Sequence, residues 1–283
     1  MSKAKVAVVV DSTAYIPPAL VAQYNIHVIP QILNWEGSSL RDDVDIKPDA
    51  FYARLASAKE MPTTSQPSAG EFHEFFSKVA ETADSIVAVL ISKLLSGTQA
   101  SAQAAADMME GYPIEIVDSE SAAMGLGYMA LAAARAAENG ADPKEAAEAA
   151  RALVKKMRVL FVVDTLEFLH RGGRIGGAQR LIGAMLSIKT ILHLGGGKIE
   201  PPASVRTKKK ALAHLMEVAE TEMAGKSNVK AAVIHAAAPD DAQTVYAELK
   251  QKLSPTEIHI VELSPVVGAH VGPKALGIVF FDN

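Results

Sequence analysis

Apolar residues fall along this chain in short, unbroken, β-branched runs separated by Ala-rich stretches whose apolar positions recur at helical spacing. A continuous apolar run of about five residues fits a strand covered on both faces, as in a parallel sheet flanked by crossover helices. Residues 6–10 and 85–91 are such runs, and 26–33 and 114–117 read as further strands. Between them the pattern predicts helices over 17–24, 49–58, 69–83, 96–110, 121–138 and from 143 to about 158. Ser68 with Glu71, Ser96 with Gln99, and Asp142 with Glu145 each have the spacing of a capping box; Pro143 sits where a first helical residue tolerates it.

A second series begins near residue 159. Strands are predicted over 160–163, 188–194, 199–205, 229–235, 258–263 and 277–281, and helices over 166–170, 178–186, 208–223 and 240–253. Gly195-Gly196-Gly197 between two strand-like runs predicts an antiparallel hairpin. Alternation of this kind gives an α/β protein of two domains. Residues 1–157 form a mostly parallel sheet with helices on both faces, and residues 158–283 a mixed sheet with helices.

Composition narrows the function. The 283 residues include 28 Lys and Arg against 32 Asp and Glu, a net charge of −4, which gives no general attraction to nucleic-acid phosphates. Apolar residues make up 49% of the chain although aromatics supply only 5%, and the mean hydropathy is +0.15. The uncharged stretch 122–134 is too short for the ~20 apolar residues of a membrane span, and 6–10 is too short for a secretory signal. With no cysteine there is no disulfide framework and no thiolate chemistry. A cytoplasmic protein without stable membrane insertion is expected.

Candidate chemistry lies where open parallel sheets collect ligands, at the carboxyl ends of strands. Asp11-Ser12-Thr13 follows the first strand, Ser92 through Thr98 the third, and His235 ends a later one. Hydroxyls there serve either as ordinary caps or, with the free N–H groups of a helix start, as partners of an anion. Pro62-Thr63-Thr64-Ser65-Gln66-Pro67-Ser68 is either a polar linker or a stiff, donor-rich loop able to recognise a ligand head. Arg171-Gly172-Gly173-Arg174 and Gly195-Gly196-Gly197-Lys198 lack the spacing of nucleotide-binding loops, leaving Arg171 as a carboxylate partner or a surface cation. The eight histidines form no metal-ligating pair by spacing, and no nucleophile elbow is present. Arg206, Lys208, Lys209 and Lys210 put four cations at a helix start, against its dipole, which suits a docking patch for an acidic partner.

Five segments, in order, resemble the DegV family of bacterial lipid-binding proteins, which includes the fatty-acid-binding subunit of fatty acid kinase. They are Val9-Val10-Asp11-Ser12-Thr13, Thr64-Ser65-Gln66-Pro67-Ser68, Leu95-Ser96-Gly97-Thr98, Leu166 through Ile175 with Arg171-Gly172-Gly173-Arg174, and Gly268-Ala269-His270-Val271-Gly272-Pro273. The resemblance implies a long-chain fatty acid such as palmitate, stearate or oleate in a tunnel between the two domains, and no cofactor or metal. Thr64 and Ser96 would bind its carboxylate, with Ser65, Gly97, Arg171 and His270 near the head group. It further implies no catalysis by this chain: a separate ATP-binding fatty acid kinase subunit would phosphorylate the presented carboxylate, and the acyl phosphate would feed phospholipid synthesis. This chain carries Thr63 where the family often has Lys, and Lys274 where Gly is common. Two alternatives compete: a stand-alone acyl hydrolase using Ser96 with His270, and a lipid-sensing regulatory module docking through the patch at 206–210.

Overall fold

The computed structural model describes residues 3–181, 189–205 and 207–283. The predicted helix 178–186 from residue 182 onward, the start of the predicted strand 188–194, and Arg206 lie outside the described residues.

The N-terminal series runs β1 (Ala7–Asp11), α1 (Pro18–Gln23), β2 (His27–Ile29), β3 (Ile32–Trp35), β4 (Ser38–Arg41), α2 (Pro48–Leu55), β5 (Thr63–Ser65), α3 (Ala69–Ala80), β6 (Ile86–Leu90), α4 (Thr98–Asp107), β7 (Ile114–Asp118), α5 (Ala123–Glu138) and α6 (Pro143–Arg151). The C-terminal series continues with β8 (Arg158–Val162), α7 (Glu167–Arg171), β9 (Lys189–Gly195), β10 (Lys198–Val205), α8 (Lys208–Met223), β11 (Val229–His235), α9 (Pro239–Leu253), β12 (Glu257–Glu262), α10 (Pro265–Val271) and β13 (Leu276–Asp282).

Strands β2-β1-β6-β7 make a four-stranded parallel sheet. Strands β10-β9-β8-β13-β11-β12 make a six-stranded sheet, antiparallel except for the β11–β12 pair. The expected two-domain α/β architecture is therefore present, and the β9–β10 hairpin closes at Gly195 opposite Lys198. Both faces of the parallel sheet are covered: Phe72, Phe76 and Val79 of α3 pack beneath Val9, Ala88 and Leu90. On the opposite face, Val8, Val10, Val87 and Val89 share one core with α5 and with Val159, Phe161 and Phe281 of the mixed sheet. The far side of the mixed sheet, with Leu160, Ile278 and Phe280, is covered by α8 and α9.

The uncharged stretch 122–134 finds its explanation here. Helix α5 is wedged between the two sheets and buried on nearly every side from Ala123 to Leu131. A helix apolar all round is a core helix when it has no membrane to cross. Its Tyr128 hydroxyl, too deep for water, donates to the backbone carbonyl of Ala231 in β11.

Four readings of the chain need correction. The predicted strand 26–33 is two strands in two sheets: Pro30 lacks the N–H a ladder needs, and the chain leaves the parallel sheet there to start an antiparallel β4-β3-β5 sheet. The loop 62–68 is partly strand, since β5 pairs with β3 and sets Thr64 opposite Leu33. Helix α4 starts at Thr98 with Gly97 as its cap residue, so Ser96 precedes it and makes no capping box. The boxes at Ser68–Glu71 and Asp142–Glu145 do form. Helix α6 ends at Arg151, seven residues short of the expected limit.

Candidate functional site

A cavity lies between the two sheets. Its walls are strand and helix side chains from both halves, including Ile91, Ala123, Val159, Phe161, Ile234 and Val266. Its polar groups come from the ends of elements: Thr64 and Ser65 on β5, Gln66 beyond it, Ser96 before α4, Gln31 before β3, Arg174 after α7 and His270 on α10.

These groups are tied to one another. The Thr64 hydroxyl and His270 Nε2 are 2.7 Å apart. The Ser96 and Thr98 hydroxyls are 2.8 Å apart, and the Gln31 amide donates to Thr98 at 2.8 Å. Gln66 lies over Gly97, where a Cβ would stand only 3.0 Å from its amide nitrogen, so the missing side chain admits the amide. Arg174 donates from Nε to the Leu95 carbonyl and from Nη1 to that of Gly172, which fixes a guanidinium beside the cavity. Burial and this cation push the His270 imidazole down to about 4, so it is neutral at neutral pH. Its Nδ1 is buried without a hydrogen-bond partner and faces Gly172, where any side chain would collide with the ring.

The turn after β1 lends Thr13 to the cavity wall and also ties strands together. Asp11, fully buried, accepts from the N–H and hydroxyl of Thr13 and from the N–H of Ile91, lashing the ends of β1 and β6 together. Burial nevertheless raises its pKa. Ser12 donates to Asp42 at 2.6 Å and accepts the N–H of Gln31. His235 lies outside the cavity wall; its ring accepts the Ala238 N–H and sits 3.8 Å from Glu262.

Of the residues singled out from the sequence, Thr13, Thr64, Ser65, Gln66, Ser96 and His270 line the cavity, and Gly97 lies directly beside it under Gln66. Arg171 does not. Its side chain is 60% exposed and paired at 2.6 Å with Glu167, one helical turn back. The cation that reaches the cavity is Arg174. The signal was in the sequence: Glu167 and Arg171 stand four apart, the spacing of an exposed helical ion pair. A Ser96–His270 catalytic pair is not formed either, because His270 bonds to Thr64 and Ser96 to Thr98. In the basic segment, Lys208 is held by Asp241 at 2.7 Å, while Lys209 and Lys210 are exposed. Among the described residues no cluster of His, Asp and Glu is placed to hold a metal ion, and no helix is long and apolar enough to cross a membrane.

The comparisons agree with one another. The family model described as "Uncharacterised protein, DegV family" matches residues 5–283. A DegV domain-containing protein of Streptomyces coelicolor is 40% identical over 276 residues, covering 97% of both chains. A DegV family protein from Thermus thermophilus, whose structure is described as fatty acid binding, superposes with a TM-score of 0.93 at 32% identity, over 99% of this chain and 100% of its own. DegV of Bacillus subtilis, described as a fatty acid binding protein, gives 0.91 at 34% identity with the same coverage. From its five ordered motifs, its matched length and its superposition on these relatives, this chain belongs to the DegV family.

Proposed function

We propose that this protein binds a long-chain fatty acid such as palmitate, stearate or oleate, with the acyl chain between the two sheets and the carboxylate at Thr64 and Ser96. The observation that carries the reading is a single cavity with apolar walls from both sheets and hydroxyls gathered in one cluster. A buried carboxylate is costly unless charge-assisted hydrogen bonds replace its water. A neutral His270 that donates from Nε2 makes the Thr64 oxygen an acceptor and leaves the Thr64 proton for the ligand. Arg174 adds positive potential, in the place expected for Arg171. Each buried CH₂ of the tail contributes about 0.8 kcal/mol.

In this reading the chain is not an enzyme. From the cytoplasm it presents the carboxylate to an ATP-binding fatty acid kinase subunit, and the acyl phosphate supplies phospholipid synthesis. The exposed Lys209 and Lys210, with Arg206, are the proposed contact. Native mass spectrometry of the purified protein tests the binding step: bound acid, or uptake of labelled palmitate or oleate, is expected, and a chain that remains empty overturns it. Charge reversal at 206, 209 and 210 is expected to lower coupling to the kinase while lipid binding survives.

A further inference from the structure

Gln31 is buried, 2% exposed, at the point where the chain passes from one sheet to the next. Its backbone is clamped at both ends: its N–H donates to Ser12 Oγ, and its carbonyl accepts the N–H of Asp42 at 2.8 Å. The side chain faces two groups, the Asp11 carboxylate and the Thr98 hydroxyl. Every other hydrogen bond to Asp11 comes from a donor, the Thr13 N–H, the Thr13 hydroxyl and the Ile91 N–H, so that carboxylate acts as an acceptor. The NH₂ end of Gln31 suits both neighbours, and Nε2 is the atom that meets Thr98 Oγ1, at 2.8 Å. Thr98 Oγ1 accepts from Nε2 and lies 2.8 Å from Ser96 Oγ; with a donor already on its oxygen, Thr98 can pass its own proton to Ser96. In that direction Ser96 accepts from Thr98 and, weakly, from the Thr98 N–H at 3.4 Å, which leaves its own hydroxyl proton over. Ser96 lines the cavity.

We propose that Gln31 is a positioning and specificity residue: held by Asp11, it polarises the Gln31–Thr98–Ser96 chain in one direction and makes Ser96 an obligate donor to the head group. The inference rests on the fatty-acid reading above and deepens it, since it says why an acceptor-only head is preferred to one that also donates. A carboxylate fits a cavity whose two hydroxyls both arrive as donors. A long-chain alcohol fits either polarity, because its hydroxyl turns to suit.

The test compares palmitate with 1-hexadecanol by isothermal titration on wild type, Gln31→Glu, Gln31→Met and Thr98→Val. In Gln31→Glu the new carboxyl shares a proton with Asp11 and offers Thr98 only an acceptor, so the chain reverses and Ser96 points its proton away from the ligand. Palmitate affinity is expected to fall at least tenfold while that for hexadecanol stays within about threefold. Gln31→Met and Thr98→Val, which remove the polarising donor without adding charge, are expected to narrow the palmitate preference in the same direction by a smaller factor. Should Gln31→Glu fail to fold, as read by its melting transition, these two variants decide. A palmitate-to-hexadecanol ratio unchanged across the folded variants overturns the proposal. A wild type that binds neither lipid overturns the fatty-acid reading instead, which keeps the two failures apart.

Discussion

The two surfaces of the cavity are built by opposite rules. Its apolar wall comes from the middles of regular elements, such as Val159 and Phe161 on β8 and Ile234 on β11, held by backbone ladders on both sides. Its polar end comes from places where elements stop: the residue before β3, the short strand β5, the residues before α4, the loop after α7 and the short helix α10. A wall needs only shape and hydrophobicity, which many residues supply. A head-group site needs particular atoms within about 3 Å of one another, and free hydroxyls and N–H groups are found where ladders and helices end.

That contrast can be broken from the polar side first. On the proposed reading, replacing Thr64 and Ser96 together by Ala removes two hydrogen bonds to a charged group, about 1.5–3 kcal/mol each, so fatty-acid affinity should drop roughly hundredfold or more. The affinity for the methyl ester of the same acid should change far less, because the wall is untouched; titration of both lipids checks this. From the wall side, Val159→Asp places an unpaired charge in the core shared by both sheets. A loss of stability on the order of 3–5 kcal/mol is expected, read from the urea midpoint.

The polar end also has a pH signature. The His270 pKa is lowered in the folded chain from 6.5 to about 4, so the stability it contributes is present above pH 6.5 and is lost as pH falls towards 4. The full loss is ~3 kcal/mol at 1.36 kcal/mol per pH unit, and His270→Gln should flatten that part of the stability–pH curve. The smallest effect lies outside the cavity, at an exposed turn. Lys274, between α10 and β13, holds a left-handed backbone at φ 63°, a conformation glycine adopts without steric cost. Lys274→Gly relieves that strain and should raise stability by about 0.5–1 kcal/mol, a shift of a few degrees in the melting temperature.

Legibility followed the same division. The long elements could be read because their signal is local: α8 and β11 occupy the expected residues, and two capping boxes form where Ser68 and Asp142 announce them. Errors gathered at the polar end. The run 26–33 looked like one strand because its apolar pattern continues through Pro30, yet β2 and β3 serve different sheets. Ser96 had the spacing of a cap, but its hydroxyl is engaged by Thr98. Arg171 and Arg174 flank the same glycines; the spacing of Glu167 and Arg171 marks an exposed pair, while the placing of Arg174 depends on the packing of the α7 exit against Leu95.

Residue order alone determined the α/β alternation, the two-series organisation, the absence of nucleotide-loop spacing and the family, since each depends on periodicity or on motifs within a few neighbours. It also brought Thr64, Ser96 and His270 forward as candidates through the ordered motifs. Tertiary structure decided what those residues meet. Thr64 and His270 are 206 positions apart in the chain, and their 2.7 Å contact exists because α10 docks against the β3–β5 edge. Gln31 carried no sequence signal at all; its burial between Asp11 and Thr98 gives its amide a direction and a role. Hydrogen-bond polarity is a property of the assembled network, because a hydroxyl donates or accepts according to the neighbours that folding supplies.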